Sequence, residues 1–377
     1  MRRRTIGVEE EFLLVEQETG APTPVAPALL AKVDESAVSF GAAAEMHQEM
    51  IELISTPHSD LEALRHDLAT ARSWADAAAA SLGARLAPLA TSPLPVAPHP
   101  SAGPRYQRLV ERYGVTSARC LTCGMHVHVS VASAEEGVTV LDRIRGWLPV
   151  VRALAANSPF DGGEDTGHAG WRFVSWSQWP SSGPAEVYGD VDGYHRATAE
   201  LLATGALLDE AMVYTDVRLS TRFPTVEVRV ADVQLTTAAA TAIAGLVRGL
   251  VGRAAEDGRL GEPPPDVSVN AIRLAEAEAA LHGLAGPLVD PRTGRPAPAG
   301  EVVAALLDYA EPALAVHGDT ARVRRGVEQL VAEGGGAAWQ RRTAERLGSL
   351  PATVLSAADA AAEEARETLG PPVADSA

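Results

Sequence analysis

Gly7-Val8-Glu9-Glu10-Glu11-Phe12 lies within an alternating run from Thr5 to Val15, and its reading decides the architecture. A strand sends successive side chains to opposite faces. Glu9 and Glu11 therefore share one face, and Glu10 takes the other. Two carboxylates side by side on a sheet repel each other. A hard cation between them removes that repulsion, and oxygen ligands suit magnesium. Standing alone, the run reads equally well as a strand face turned to water.

Other segments repeat the design. Glu49 to Ser55 reads as a short buried strand ending at Thr56-Pro57, with Glu52 set among Met50, Ile51, Leu53 and Ile54. A carboxylate in such company needs a partner or a metal; the plain alternative is an arginine. Glu45, seven residues earlier, is either a further acidic ligand or a surface residue. Gly124 to Val131 alternates again, with His126, His128 and Ser130 opposite Met125, Val127, Val129 and Val131. Val213 to Leu219 and Thr225 to Val230 read as neighbouring strands. Glu227 and Arg229 share a face there, with Arg218 and Arg222 just before. This could be a cross-strand salt-bridge ladder, or a metal carboxylate beside a phosphate-binding guanidinium. Cys120, Cys123, His126 and His128 have a zinc-like spacing, but strand parity turns Cys123 away from the histidines, and it reads as a small buried hydrophobe. Taken together, these strands present Glu, His and Arg on one face and Val, Ile and Leu on the other, like a cup for metal and nucleotide.

The whole chain sets limits. With 377 residues and 46% hydrophobic content it can bury a large core. Its net charge of −17 argues against a broad nucleic-acid surface. Lys32 is the only lysine, which excludes a P-loop and a protein kinase. Two cysteines make no disulfide framework. No stretch approaches the ~20 apolar residues of a membrane-spanning helix, so a cytoplasmic protein with no membrane partner is expected. Asp60 to Leu82 has helical spacing, as do Ser133 to Ala156 and Val191 to Leu208. Phe160 to Asp192 is too long for a simple connector and suits a lid. Ala-rich helices dominate from Thr237 onward and could serve as an interface in a homo-oligomer or simply as packing. The expectation is an α+β fold with a mainly antiparallel sheet. One domain would span 1–370, its helical part about 236–370, followed by a disordered tail at 371–377.

The segments Gly7–Phe12, Gln48–Leu53 with Thr56-Pro57, Cys123–Val129, Ala156–Pro159 and Thr225–Arg229 together resemble the glutamate–cysteine ligases, most closely the type 2 carboxylate–amine ligase branch. The resemblance implies a glutamine-synthetase-like catalytic fold whose curved sheet forms a funnel, with helices outside. It implies ATP and more than one magnesium ion, or manganese in its place. Metal ligands would be Glu9, Glu11, Glu45, Glu52, His126 and Glu227. Arg229 and Arg222 would contact phosphate, with Arg229 and Glu227 catalytic, and Arg172, Trp171 and His128 would hold substrate. The implied reaction joins the carboxylate of glutamate to an amine, with cysteine among the candidates, through an acyl phosphate. The residues leave two other functions open: a metal-dependent hydrolase using His126 and His128, and a non-catalytic nucleotide- or metal-binding protein.

Overall fold

The computed structural model describes residues 1–33 and 39–370; the expected tail at 371–377 lies outside them. Seven strands form the main sheet: β1 (Ile6–Glu16), β2 (Gly41–Ala44), β3 (Met50–Ile54), β4 (Ala84–Ala87), β5 (Gly124–Ser130), β8 (Val217–Leu219) and β9 (Thr225–Asp232). Two hairpins stand apart, β6 (Phe160–Asp161) with β7 (Glu164–Asp165), and β10 (Pro287–Asp290) with β11 (Arg295–Pro298). The main sheet runs β2-β3-β1-β5-β9-β8, with β4 also on β1. Every pairing in it is antiparallel. This is the expected α+β architecture.

Side-chain parity works as expected. Ile6, Val8, Met125, Val127, Val129, Val226, Val228 and Val230 enter one core with Leu61, Leu64 and Leu68 of the helix Leu61–Ala80 and Leu246, Val247 and Leu250 of the helix Thr237–Arg259. Asp60 caps the first of these helices, accepting from the Glu62 and Ala63 amides at 2.9 Å. The second is the one helix among the described residues long and apolar enough to cross a membrane, where the sequence pattern suggested none. It runs through the core, with 83% of its apolar window buried. Its Gly249 lies where a Cβ would sit 2.8 Å from Leu314, so the glycine permits the close approach of the helix Ala299–His317.

Glu10 goes to the helix side, as parity requires. It is 1% exposed and pairs with Arg72, 3% exposed, at 2.5 Å. Arg72 also donates to the carbonyls of Gln234 and Leu235. Removing one partner of a buried pair strands the other charge. Arg72→Ala should therefore destabilise by about 3–5 kcal/mol, read as a lowered urea midpoint. A shift under about 1 kcal/mol would contradict the burial.

Two segments hold structure that the sequence pattern did not assign. Pro104–Tyr113 is a helix begun by proline at its first turn. The Phe160–Asp192 stretch contains the β6–β7 hairpin and the helix Trp171–Trp176. The helix expected over Ser133–Ala156 is interrupted at Arg145–Trp147, just before Pro149.

Candidate active site

The register lines the polar face up across five strands. Glu11 sits opposite Glu52 on β3, Glu9 opposite His126 on β5, and His128 opposite Glu227 on β9, which in turn faces Arg218 on β8. His128 Nε2 lies 3.2 Å from Glu9 Oε1, and His126 Nδ1 3.2 Å from Glu9 Oε2. His128 Nδ1 is tied to Thr225 Oγ1 at 3.0 Å. Arg218 grips Glu227 with two bonds, at 2.8 and 3.1 Å, and Arg229 Nη1 bonds the same carboxylate.

Burial alone would raise the Glu9 carboxyl, but the bonds and charges of His126 and His128 outweigh it and hold Glu9 well below the usual range. Burial is likewise overcome in Glu227, where Arg229 and Arg218 bring the carboxyl down to about 2. Burial and then the Arg229 charge push the His126 imidazole down.

Glu45 and Glu52 differ. Burial, reinforced by Glu11, raises Glu45 to about 8; burial and then the charge of Glu45 push Glu52 well above its ordinary value. Carboxylate oxygens of Glu11, Glu45 and Glu52 converge within 4.8 Å of one another. Among the described residues neither Glu45 nor Glu52 has a basic partner within 4 Å. Such a cluster is relieved by a divalent cation. Two more groups with the same spread are Glu9, Glu52 and His126, and Glu9, His128 and Glu227. The residues thus fit hard cations held by oxygen and imidazole. No cysteine joins these groups, and Cys120 and Cys123 are buried, unpaired thiols. The zinc arrangement is not formed.

Three cavities lie along the strands. At the start of β1 and β9, Ile54, Pro57, Phe223 and Pro224 wall an apolar cavity of about 280 Å³ beside Glu9 and His128. The acidic cavity follows, about 230 Å³. Beyond Arg229, a third of about 200 Å³ is lined by Arg152, Arg172, Arg273, Asp216 and Glu276. Trp176, Tyr214 and Arg229 line both the second and the third. In the third cavity Arg152 Nη2 bridges Asp216 at 2.9 Å and Glu276 at 3.1 Å. Asp216 Oδ2, Glu276 Oε2, Arg172 Nε and Arg229 Nε are buried without a partner.

Most of the expected site residues meet here. Glu9, Glu11, Glu45, Glu52, His126, Glu227 and Arg229 form the acidic centre. His128 stands between Glu9 and Thr225, with Nε2 toward Glu9 and Nδ1 toward Thr225. Arg172 reaches the third cavity. Arg222 and Trp171 do not join. Arg222 is exposed in the turn before β9, and Trp171 donates its Nε1 to Asp161 at 3.2 Å and packs on His168. The sequence pattern did not reveal Arg152, Asp216, Arg273 and Glu276. A lone Arg152 in the apolar Leu148–Ala155 was the available signal, since a buried charge needs a reason; Glu276 shares its Ala-rich helix with Glu278 and did not stand out.

Gly124 explains how Arg172 reaches the sheet. A Cβ there would fall 2.2 Å from Arg172 Nη2. Gly124→Ala should push the guanidinium aside and raise the substrate KM about tenfold with little change in kcat, measured by steady-state kinetics. An unchanged KM would remove Arg172 from substrate binding.

The fold is that of amide-bond-forming ligases. A glutamate–cysteine ligase from Francisella tularensis, crystallised with AMP, superposes with a TM-score of 0.70 at 13% identity, covering 99% of this chain and 90% of that one. A bifunctional glutathione synthetase from Pasteurella multocida gives 0.70 at 17% identity over 96% of this chain and 52% of the other. Residues 5–371 match the model of glutamate–cysteine ligase family 2, and the chain belongs to that family. A Streptomyces coelicolor protein provisionally named glutamate–cysteine ligase 2 is 47% identical over 355 residues, 94% of this chain and 98% of the relative.

Proposed function

We propose that residues 1–370 act as one ATP- and magnesium-dependent ligase domain that joins the side-chain carboxylate of glutamate to an amine. The observation that carries this is the order of the three cavities along the strands: apolar, acidic, then arginine-rich with one oxygen each of Asp216 and Glu276 lacking a hydrogen-bond partner among the described residues. The apolar cavity suits a purine base. The acidic cavity suits the triphosphate with its cations, held by Glu9, Glu11, Glu45, Glu52, His126 and Glu227. The third suits an amino acid, with its ammonium at Asp216 and Glu276 and its α-carboxylate at Arg172 and Arg273. The side-chain carboxylate then points back toward Arg229.

Magnesium would neutralise phosphate oxygens and polarise the γ-phosphorus. The chain's own groups do the rest. Arg229 donates N–H groups to the charge that builds on the γ-phosphoryl oxygens. A carboxylate oxygen of the donor attacks phosphorus, the bridging P–O bond breaks, and ADP leaves. The amine nitrogen attacks the acyl carbon, the C–O bond to phosphate breaks, orthophosphate leaves, and the nitrogen's proton passes to water. Phe173, Trp176 and Tyr214 shield the acyl phosphate from hydrolysis.

The test is ADP release with ATP, magnesium, glutamate and a panel of amines. ADP formation that requires both glutamate and an amine supports the reading. Amide or ester cleavage without ATP would instead support a hydrolase built on His126 and His128, and nucleotide binding with no turnover a non-catalytic protein.

A further inference from the structure

We infer that the amine accepted by this site carries a flat apolar or aromatic group and no carboxylate next to its nitrogen, which sets it apart from cysteine. The inference rests on the ligase reading above. The acceptor must reach the acyl carbon, which forms where the donor cavity meets the acidic one. Trp176, Tyr214 and Arg229 mark that junction.

The space left for the acceptor is the part of the acidic cavity away from the glutamates. Its walls are rings and a thioether. Trp176 packs against Tyr214 with centroids 4.8 Å apart, and Trp179 backs both at 6.1 and 5.7 Å. Tyr106 and Met46 complete the wall, each half-buried against the buried cluster of Leu109, Cys120 and Met212. Half-buried aromatic faces that border a cavity gain most from a flat partner. An amine entering nitrogen-first turns its nitrogen to the junction at Arg229 and lays its apolar end against Trp179, Tyr106 and Met46, which line the same cavity.

The arginines argue for the absent carboxylate. Three of them line this cavity, and each is already held by a protein carboxylate. Arg105 is gripped by Asp209 at 2.8 and 3.1 Å. Arg218 is gripped by Glu227 and also donates to the Val213 carbonyl at 3.2 Å. Arg229 bonds Glu227 as well and faces the phosphate and donor. An amino-acid acceptor would bring a carboxylate into a cavity of aromatic rings and glutamates with no free cation on that wall, a costly burial. In the donor cavity, by contrast, Arg273 has no carboxylate within 4 Å among the described residues, and Arg172 meets Asp232 only at 3.8 Å.

The experiment has two arms on the full chain. Hydroxylamine with ATP, magnesium and glutamate traps the acyl phosphate as a hydroxamate and reports the first half-reaction alone. Competition among 2-phenylethylamine, methylamine and cysteine then reports the acceptor. The expected result is hydroxamate formation together with a kcat/KM for 2-phenylethylamine about 30-fold above that for cysteine and for methylamine. Tyr106→Ala should lower the phenylethylamine-to-methylamine ratio of kcat/KM about tenfold, and Tyr106→Phe should restore it. Hydroxamate with cysteine preferred, or with no preference among the amines, overturns the inference and leaves the ligase reading standing. No hydroxamate and no ADP with any amine overturns the ligase reading itself.

Discussion

Glu11→Gln is expected to lower kcat/KM about 1,000-fold or more while the protein remains folded. Glu11 faces Glu52 across β1 and β3 and converges with Glu45 on one point. Losing its charge weakens any cation there, and the phosphates lose their main counter-charge. The fold should not suffer. Glutamine keeps a carbonyl to accept the Gly124 amide, which bonds Glu11 Oε2 at 2.5 Å. It also relieves the repulsion that Glu11 exerts on Glu45 and Glu52. The variant's thermal midpoint without metal should therefore equal or exceed that of the wild type. Added magnesium should raise the midpoint of the wild type and do little for the variant, because only a ligand bound to the folded state shifts it. Full activity in Glu11→Gln would sink the metal assignment.

Arg229→Lys should have an effect of similar size, about 1,000-fold, falling on kcat more than on KM. Lysine keeps the charge but not the planar fork that contacts two oxygens at once. Glu227 retains its two-bond grip from Arg218, so β8 and β9 stay paired and the carboxylate stays ionised. Kinetics with saturating ATP and glutamate measure this directly. A variant retaining more than about a tenth of wild-type kcat would show that Arg229 only pairs with Glu227.

Much of this centre was legible in the sequence because strand parity is strict. Glu9 and Glu11 turn to the site while Glu10 turns to Arg72, and the same two-residue period places His126, His128, Glu227 and Arg229. The bias toward arginine was also informative, since a chain whose one lysine is Lys32 has no residue to complete a P-loop. The third cavity was not legible. Arg152, Asp216 and Glu276 lie in separate segments, as much as 124 residues apart, and no local pattern joins them. Glu45 follows the short strand β2, whose Gly-Ala-Ala-Ala sequence has no alternation to read. Tyr106 carried no site signal in the sequence, because it lies on the short helix begun by Pro104, away from every alternating strand. Arg222 and Trp171 lie apart from the acidic centre for the converse reason: both adjoin its segments in sequence, yet Arg222 lies in an exposed turn and Trp171 points to Asp161. Proximity along the chain does not fix the face a side chain takes outside a strand.

In the proposed reaction the acidic face promotes phosphoryl transfer from ATP to a carboxylate oxygen before the amine attacks. The direct measurement uses glutamate labelled with ¹⁸O in its side-chain carboxylate, turned over with ATP, magnesium and an accepted amine, followed by mass analysis of the orthophosphate. The account predicts one labelled oxygen in phosphate for each amide formed. Unlabelled phosphate accompanying amide formation would contradict it, since the acyl phosphate would then not lie on the path.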